Sequence, residues 1–235
     1  MIENALLITG TDTDAGKTVL TTALIAYWQK YCRTRSLGVM KPLQTGIGDR
    51  ELYRQLFDLD QTPEELNPLH FEAPLAPPIA ADLEGKRVQL EPVWKAFEAL
   101  RSKRDFVLVE ALGGLGSPVT HETTVADWAW DWQLPAVLVV PVKLGAIGQA
   151  VANVALARQS KVHLRGIVLN CIRSSTDEEI ENWASVRLIE RITGVPVLGL
   201  IPYLNDSTDI DKLAQVAANL DLERLLPETL EVSHA

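Results

Sequence analysis

The chain has 235 residues, and its 22 lysines and arginines against 31 aspartates and glutamates give a formal net charge of −9. Sustained binding to DNA or RNA normally needs a basic face that neutralises phosphates, so this charge disfavours a nucleic-acid partner. Hydrophobic residues make up 47% of the chain and charged residues 23%, which is typical of a folded globular protein and excludes a disordered one.

The length and the apolar segments limit the architecture further. Parallel α/β folds often use a span of this size as one unit, so we expect a single domain over residues 1–235, with about 223–235 as a weakly held tail. The longest apolar run, 134–142, contains two prolines and is too short to cross a membrane. No basic segment precedes the first apolar run, and the chain has two cysteines, so we expect a cytoplasmic protein without a disulfide framework.

Short aliphatic runs alternate with longer helical patterns along the chain. The predicted strands are 5–10, 37–41, 106–110, 136–142, 166–170 and 197–202. Their nearly continuous apolar character is typical of parallel strands that are covered on both faces. Helices are predicted over 17–32, 147–159 and 176–193, whereas 67–78, with four prolines, is expected to be an irregular excursion. The alternation predicts an α/β fold with a doubly wound, mostly parallel sheet and helices on both faces.

A phosphate-binding motif follows the first predicted strand, with the sequence Gly10-Thr11-Asp12-Thr13-Asp14-Ala15-Gly16-Lys17-Thr18. It is a variant, because the strict pattern G-x-x-x-x-G-K-[ST] has a glycine where Thr11 stands. In such a loop the backbone N–H groups and the helix N-terminus face an anion, Lys17 reaches the β- and γ-phosphates, and the Thr18 hydroxyl ligates Mg²⁺. A glycine-rich turn without a ligand is the alternative, but it accounts poorly for Gly-Lys-Thr at this junction. The motif predicts a P-loop NTPase type of fold, and the lack of G-x-G-x-x-G disfavours NAD.

Charged side chains end two of the predicted strands. Lys41 ends the second strand at the edge where open α/β sheets bind ligands, and strands one and two are the expected neighbours that would bring it near the γ-phosphate. Glu110 ends the third strand, where P-loop enzymes hold a carboxylate for Mg²⁺. A solvated lysine and a glutamate that caps the next turn are the plainer alternatives. Asp49, which begins a helical stretch, is an N-cap by its local pattern.

Four motifs together resemble the dethiobiotin synthetase family of biotin biosynthesis. They are the phosphate loop, Lys41-Pro42-Leu43-Gln44-Thr45-Gly46, Val109-Glu110-Ala111-Leu112-Gly113-Gly114 and Val140-Pro141-Val142-Lys143-Leu144-Gly145. The resemblance implies a cytoplasmic, Mg²⁺-dependent homodimer that uses ATP to join CO₂ to 7,8-diaminopelargonate (7,8-diaminononanoate), giving dethiobiotin, ADP and phosphate. In that reaction a carbamate is activated as a carbamic-phosphoric anhydride before the ureido ring closes.

The resemblance also implies roles for individual residues. ATP would be bound by Asp14, Ala15, Gly16, Lys17, Thr18, Asp49, Glu110, Asn170, Pro202, Tyr203 and Leu204. Mg²⁺ would lie among Thr18, Asp49 and Glu110, and Lys41 would be the catalytic lysine, acting with Lys17. Thr45 and Ser117 would contact the substrate. The family loop after the glutamate normally reads Gly-Ala-Gly-Gly, and here Ala111 and Leu112 replace its first two residues.

The main alternative is a P-loop switch ATPase that acts on protein partners. That class typically has a signature lysine five residues before the phosphate-loop lysine, where this chain has Asp12. The four histidines lack the spacing of metal ligands. The alternating Trp128, Trp130 and Trp132 are expected to pack against the core or a partner subunit and not against nucleic-acid bases.

Overall fold

Strands form at the six apolar runs that predict them, and two short strands that were not predicted, at 43–45 and 69–71, are added. In the computed structural model, which describes residues 2–227, the strands are β1 (Ala5–Gly10), β2 (Leu37–Met40), β3 (Leu43–Thr45), β4 (Leu69–Phe71), β5 (Phe106–Glu110), β6 (Ala136–Pro141), β7 (Leu164–Asn170) and β8 (Val197–Ile201). The helices are α1 (Lys17–Tyr31), α2 (Asp49–Leu56), α3 (Pro63–Leu66), α4 (Pro77–Leu83), α5 (Leu90–Lys103), α6 (Val125–Asp131), α7 (Ala146–Gln159), α8 (Asp177–Ala184), α9 (Val186–Thr193), α10 (Ile210–Ala218) and α11 (Leu222–Leu225).

The main sheet has six strands in the order β2-β5-β1-β6-β7-β8, and its strand pairs are parallel. Successive residues of β1 point to opposite faces, with Leu6 and Ile8 in one apolar cluster and Ala5 and Leu7 in another. Helices α1 and α10 cover the first face, and α5, α6 and α7 cover the other. The predicted doubly wound, mostly parallel sheet with helices on both faces is confirmed.

The order of the strands differs from the expectation at one point. β5 lies between β1 and β2, so the prediction that strands one and two are neighbours is wrong. All five residues of β5 are buried, whereas Leu37 of β2 is half-buried at the edge of the sheet. The more apolar strand takes the inner position, because an inner strand is covered by neighbours on both sides as well as on both faces.

Two segments differ from the prediction: 67–78 contains more regular structure than expected, and the helix predicted over 176–193 is divided into two. Within 67–78, β4 pairs in parallel with β3, from Leu43 opposite Leu69 to Thr45 opposite Phe71. Pro77 then begins α4, where the missing N–H of proline costs no helical hydrogen bond. The helix predicted over 176–193 is two helices, because Ser185 leaves the helical conformation and its side chain caps the second one at the Leu188 N–H.

The C-terminal segment begins as packed structure. Leu225 and Leu226 are buried in the cluster formed with α1 and α10, so the weakly held tail does not begin at 223. Residues 228–235, the rest of the expected tail, lie outside the described residues. Trp128 and Trp132 pack on each other with ring centroids 4.6 Å apart, and Trp132 stacks on Phe97, so the expected packing against the core is found for these two; Trp130 is 46% exposed and does not share it. None of the helices formed by residues 2–227 has the length and apolarity that a membrane crossing needs.

Candidate functional site

Three loops meet at the carboxyl-terminal edge of the main sheet, where parallel strands end together. The phosphate loop follows β1, the segment 41–49 follows β2, and the segment 111–117 follows β5 between them. The phosphate loop turns through Thr13–Ala15 and reaches Gly16, which is the N-cap of α1. Gly16 has a φ of 94° and provides no side-chain hydrogen bond to the helix. The N-terminus of α1 is therefore left for an anion to satisfy.

Lys17 is folded back on its own loop. Its Nζ donates to the carbonyl oxygens of Asp12 at 3.0 Å and Thr13 at 2.9 Å, and the residue is 4% exposed. The pKa of Lys17 is lowered from 10.5 to about 8, chiefly by burial and also by the nearby charge of Lys41, and the charge of Glu110 opposes both effects. The loop therefore holds a desolvated lysine that gains from a negatively charged ligand.

Lys41 joins the two predicted metal carboxylates. Its Nζ forms ion pairs with Asp49 and with Glu110 Oε1, the latter at 3.1 Å, and donates to the carbonyl oxygen of Ala111 at 3.1 Å. The Thr18 hydroxyl lies 2.8 Å from Asp49 Oδ1 and 3.0 Å from Glu110 Oε1. Residues that are far apart in the sequence thus converge on one point beside the phosphate loop.

The charges of this cluster stabilise one another. Burial alone would lower the pKa of Lys41, but Glu110 and Asp49 outweigh it and hold that pKa above its ordinary value. Burial would likewise raise the pKa of Asp49, but the ammonium of Lys41 and the Thr18 hydroxyl keep it below its ordinary value. The cluster therefore consists of a charged lysine and an ionised aspartate beside Glu110.

Asp49 has a different position from the one its local pattern predicts. Gly48 is the N-cap of α2, and Asp49 is the first helical residue, so the N-cap prediction is wrong. Its carboxylate is turned away from the helix backbone toward Thr18 and Lys41. The partners that determine this orientation lie on other elements, which a local pattern does not reveal.

The oxygen atoms around Thr18 fit a divalent cation. Mg²⁺ takes oxygen ligands and uses one or two protein carboxylates together with phosphate oxygens. Two carboxylates and a hydroxyl converge here, and the ammonium of Lys41 already lies against both carboxylates as a positive charge. This donor set suits Mg²⁺ bound with a phosphate and differs from the His and Cys ligands of transition metals.

A cleft of about 350 Å³ extends from the phosphate loop to the loop after β8. It is lined by Thr13, Asp14, Gly16, Lys17, Thr18, Val19, Asn170, Cys171, Ile172, Pro202, Tyr203, Leu204 and Ser207. The cleft therefore joins most of the residues predicted to bind ATP; the exceptions are Ala15 and Glu110, which are fully buried, and the partly exposed Asp49. Five of the lining residues were not predicted: Thr13, Val19, Cys171, Ile172 and Ser207. The first three each adjoin a predicted residue, which is the signal that could have found them, whereas Ile172 and Ser207 carry no such signal.

Asn170 holds the phosphate loop from the side. Its Nδ2 donates to the carbonyl oxygen of Ala15 at 3.0 Å, and the residue is buried at the end of β7. A Cβ added at Gly16 would lie 1.9 Å from this Nδ2. Glycine at this position therefore serves both the left-handed backbone and the close approach of the amide.

The two predicted substrate residues lie on the segments that follow β2 and β5. Thr45 ends β3 and is half-buried. The Ser117 hydroxyl accepts a hydrogen bond from the Gly114 N–H at 2.8 Å, which leaves its own proton free to donate. Leu115 N–H donates to the carbonyl oxygen of Gly10 at 2.9 Å, so the segment 111–117 runs along the phosphate loop.

Two residues of the site were missed by sequence reasoning. Thr21 and Tyr53 are fully buried and both contact Glu110 Oε2, the oxygen turned away from Thr18. Burial raises the pKa of Tyr53 well above its ordinary value, and the charges of Glu110 and Asp49 add to the effect, so its hydroxyl keeps its proton. In the sequence both look like core-facing helix positions, and no local signal marks them as polar partners.

The sequence is similar to those of known proteins over nearly its whole length. The family described as AAA domain matches residues 4–211. The ATP-dependent dethiobiotin synthetase BioD of Gloeothece citriformis is 58% identical over 223 residues, which cover 95% of this chain and 99% of that protein. The protein of the same name from Synechocystis sp. is 51% identical, over 95% of this chain and 95% of its own length. That from Bacillus subtilis is 33% identical, over 93% of this chain and 96% of its own length.

Solved structures share the fold at lower identity. A ParA family ATPase from Chlorobium tepidum has a TM-score of 0.58 and 15% identity, over 95% of this chain and 99% of that one. The cell division ATPase MinD of Pyrococcus furiosus has a TM-score of 0.55 and 17% identity, over 95% of this chain and 100% of that one. At this identity the likeness shows the fold alone, and it confirms the predicted P-loop type of α/β architecture.

Replacing Gly16 by alanine tests the contact with Asn170. Gly16→Ala is expected to lower the free energy of unfolding by about 2–4 kcal/mol, because it adds left-handed strain of about 1–2 kcal/mol to a clash with the buried amide. Gly145→Ala is the matched control, since Gly145 also opens a helix with a φ of 92° but has no heavy atom within 4 Å of an added Cβ. Urea unfolding measures both; equal losses would contradict the role given to Asn170.

Replacing Lys17 by methionine tests the burial of its charge. Because the pKa of Lys17 is lowered, the folded protein binds fewer protons than the unfolded chain between pH 8 and 10.5. Lys17 therefore makes the free energy of unfolding rise with pH across that window, by about 3 kcal/mol in total. Lys17→Met is therefore expected to be about 1–3 kcal/mol more stable than the parent at pH 7 without nucleotide and to lack this rise. Chemical unfolding at pH 7, 8 and 10 measures both, and a destabilised variant at pH 7 would contradict the argument.

Proposed function

Because this chain belongs to the dethiobiotin synthetase family, and is thus an ATP-dependent ligase, we propose that its site activates a carbamate of 7,8-diaminopelargonate and closes the ureido ring of dethiobiotin. One amine takes up CO₂ and loses a proton to give the carbamate. A carbamate oxygen attacks the γ-phosphorus of ATP, and ADP leaves. The second amine then attacks the carbamate carbon, and phosphate leaves as the ring closes.

The observation that carries this proposal is the cluster at the phosphate loop. Phosphoryl transfer is catalysed mainly by positioning and by positive charge that follows the transferred group. Lys17 and Lys41 are both buried here, one on the phosphate loop and the other at the end of β2 beside it. Lys41 is the proposed catalytic lysine, which stabilises the charge as it moves between the γ-phosphate and the carbamate, and Lys17 holds the phosphates.

Nucleotide binding is assigned to the cleft. The N-terminus of α1 and the loop residues Asp14 to Thr18 would surround the phosphates. Asn170, which lies beside the phosphate loop, and the segment of Pro202, Tyr203 and Leu204 would contact the base. The size of the cleft and its mixed lining support a nucleotide as the occupant.

Mg²⁺ is the proposed cofactor, held by Thr18, Asp49 and Glu110. Bound there with ATP, it would neutralise the negative charge that develops as the phosphoryl group is transferred. Thr45 and Ser117 are proposed to contact the diamine, since they lie on the segments that follow β2 and β5, next to Lys41. A free hydroxyl proton on Ser117 supports a role as a donor to substrate.

Homodimerisation in the cytoplasm is also part of the proposal, on the strength of the family resemblance. Two exposed apolar side chains on the loops around the site, Ile47 at 89% and Leu144 at 84% exposure, support a subunit contact there. Both cysteines are free and buried, which suits a reducing compartment. Light scattering during size-exclusion chromatography measures the mass in solution.

The activity is tested by incubating the protein with ATP, Mg²⁺, bicarbonate and 7,8-diaminopelargonate. ADP and dethiobiotin are expected to form together and to depend on the diamine. ATP hydrolysis that is independent of the diamine and stimulated by a protein partner would instead favour the switch ATPase.

Replacing Lys41 by glutamine tests the proposed catalytic lysine. Lys41→Gln is expected to lower kcat by about 10²–10³-fold, the loss typical of removing one group that stabilises developing charge. Binding of ADP, followed by calorimetry, should persist, because the phosphate loop itself is unchanged. Lys103→Gln, which removes a surface lysine paired with Glu65 on α3, is the control; turnover by Lys41→Gln as fast as by this control would overturn the assignment.

A further inference from the structure

Glu110 is held at both carboxylate oxygens, by different groups. Oε1 faces Thr18 and Lys41, the side on which the cation is proposed to bind. Oε2 accepts a hydrogen bond from the Tyr53 hydroxyl and lies 2.5 Å from the Thr21 hydroxyl. Glu110, Tyr53 and Thr21 each have 0% exposure, so water does not reach this side of the carboxylate.

The two helices that supply the cation-facing residues also supply the donors behind Glu110. Thr18 and Thr21 lie one turn apart on α1, and Asp49 and Tyr53 lie one turn apart on α2. In each pair the first residue faces the opening of the site, and the second reaches beneath the end of β5. The carboxylate of Glu110 is therefore clamped between two helices at one of its oxygens.

Tyr53 is the more dedicated of the two donors. The Thr21 hydroxyl has one proton, and three acceptors compete for it: Glu110 Oε2 at 2.5 Å, the Lys17 carbonyl oxygen at 3.0 Å and the Tyr53 hydroxyl oxygen. The acceptor of the Tyr53 hydroxyl is Glu110 Oε2. A hydrogen bond from a neutral donor to a buried carboxylate is among the stronger ones in proteins, because the acceptor carries a charge.

We propose that Tyr53 is a positioning residue, which fixes the rotation of the Glu110 carboxylate so that Oε1 is presented to the divalent cation. This inference rests on the proposed function, in which Glu110 is a ligand of that cation. Outer partners of a metal ligand orient it, and their loss typically costs about 10–100-fold in metal affinity. Without the Tyr53 hydroxyl, the inner oxygen would keep only the shared proton of Thr21, and the carboxylate could turn.

A purely structural role would have a different signature. A buried tyrosine needs some acceptor for its hydroxyl, and Glu110 could serve only to satisfy that need. Loss of the hydroxyl would then change the unfolding temperature and leave the response to Mg²⁺ as it was. The two roles are distinguished by a measurement of Mg²⁺ dependence that does not rely on turnover.

Tyr53→Phe is the test variant, with Tyr27→Phe as its matched control. Tyr27 is also a buried tyrosine, but it lies on the other side of α1 against Tyr31, with ring centroids 4.9 Å apart. ADP binding is followed by titration calorimetry without Mg²⁺ and at increasing Mg²⁺. Mg²⁺ is expected to increase the affinity for ADP, and the quantity compared is the Mg²⁺ concentration at which half of this increase is reached. For Tyr53→Phe that concentration is expected to rise at least about tenfold. The affinity for ADP without Mg²⁺ is expected to be unchanged.

The same rise should be seen in turnover. For Tyr53→Phe the Mg²⁺ concentration for half-maximal rate should increase by the same factor, and excess Mg²⁺ should restore most of kcat. Thr21→Val should shift the Mg²⁺ requirement in the same direction, and Thr21→Ser, which keeps the hydroxyl, should restore the parental value. A Mg²⁺ requirement of Tyr53→Phe equal to that of Tyr27→Phe would overturn the inference, whatever the change in unfolding temperature.

Glu110→Gln separates this failure from a failure of the proposed function. If Glu110→Gln has a raised Mg²⁺ requirement and Tyr53→Phe does not, Glu110 is a cation ligand and Tyr53 does not position it. If Glu110→Gln binds ADP with the parental response to Mg²⁺, the assignment of Glu110 as a ligand fails, and the inference about Tyr53 fails with it.

Discussion

The ammonium of Lys41 lies buried against the carboxylates of Asp49 and Glu110, and every other part of the site is arranged around this ion cluster. Removing three charged groups from water is costly, and such clusters are weak evidence for stability because replacement by apolar residues is often neutral or stabilising. Two carboxylates against one ammonium leave an excess negative charge. That excess favours a further cation, so the cluster is better explained by the proposed Mg²⁺ than by the stability of the fold.

The strand order gives this cluster its geometry. β5 lies between β1 and β2, so Glu110 stands between the phosphate loop with Thr18 on one side and Lys41 on the other. Had β1 and β2 been neighbours, as the sequence suggested, Lys41 would lie next to Lys17 with no acid between them, and like charges in a buried site repel. The inserted strand places an anion between two buried lysines, which is how both can remain near one phosphate chain.

Sequence patterns predicted those features of the fold that are determined by residues close together in the chain. Continuous apolar runs were enough to locate β1, β5 and β6, and Gly16, Lys17 and Thr18 at a strand-to-helix junction were enough to predict the anion site, because backbone geometry alone creates it. Asp49 and Tyr53 show the opposite case. An aspartate near a helix start favours an N-cap, but the Asp49 carboxylate is directed toward Thr18 and Lys41. A tyrosine on an apolar face favours the core, where Tyr53 does lie, but its hydroxyl is directed toward Glu110. The positions of these partners depend on the assembled sheet.

In the loop after Glu110, the structure explains why alanine is tolerated at 111, where the family pattern has glycine, and why a side chain would not be tolerated at Gly114. Ala111 contributes its carbonyl oxygen, which accepts from Lys41, and its N–H, which donates to Ile8; these are main-chain groups that any residue offers. Replacing the usual glycine by alanine there leaves both contacts intact. At Gly114 the main chain passes so close to the phosphate loop that an added Cβ would lie 2.8 Å from the Thr11 carbonyl carbon. Glycine is therefore needed at 114, where two loops touch. At 111 the contacts use main-chain groups and the methyl group of alanine is accommodated in the core, so the substituted loop still holds Lys41 in place.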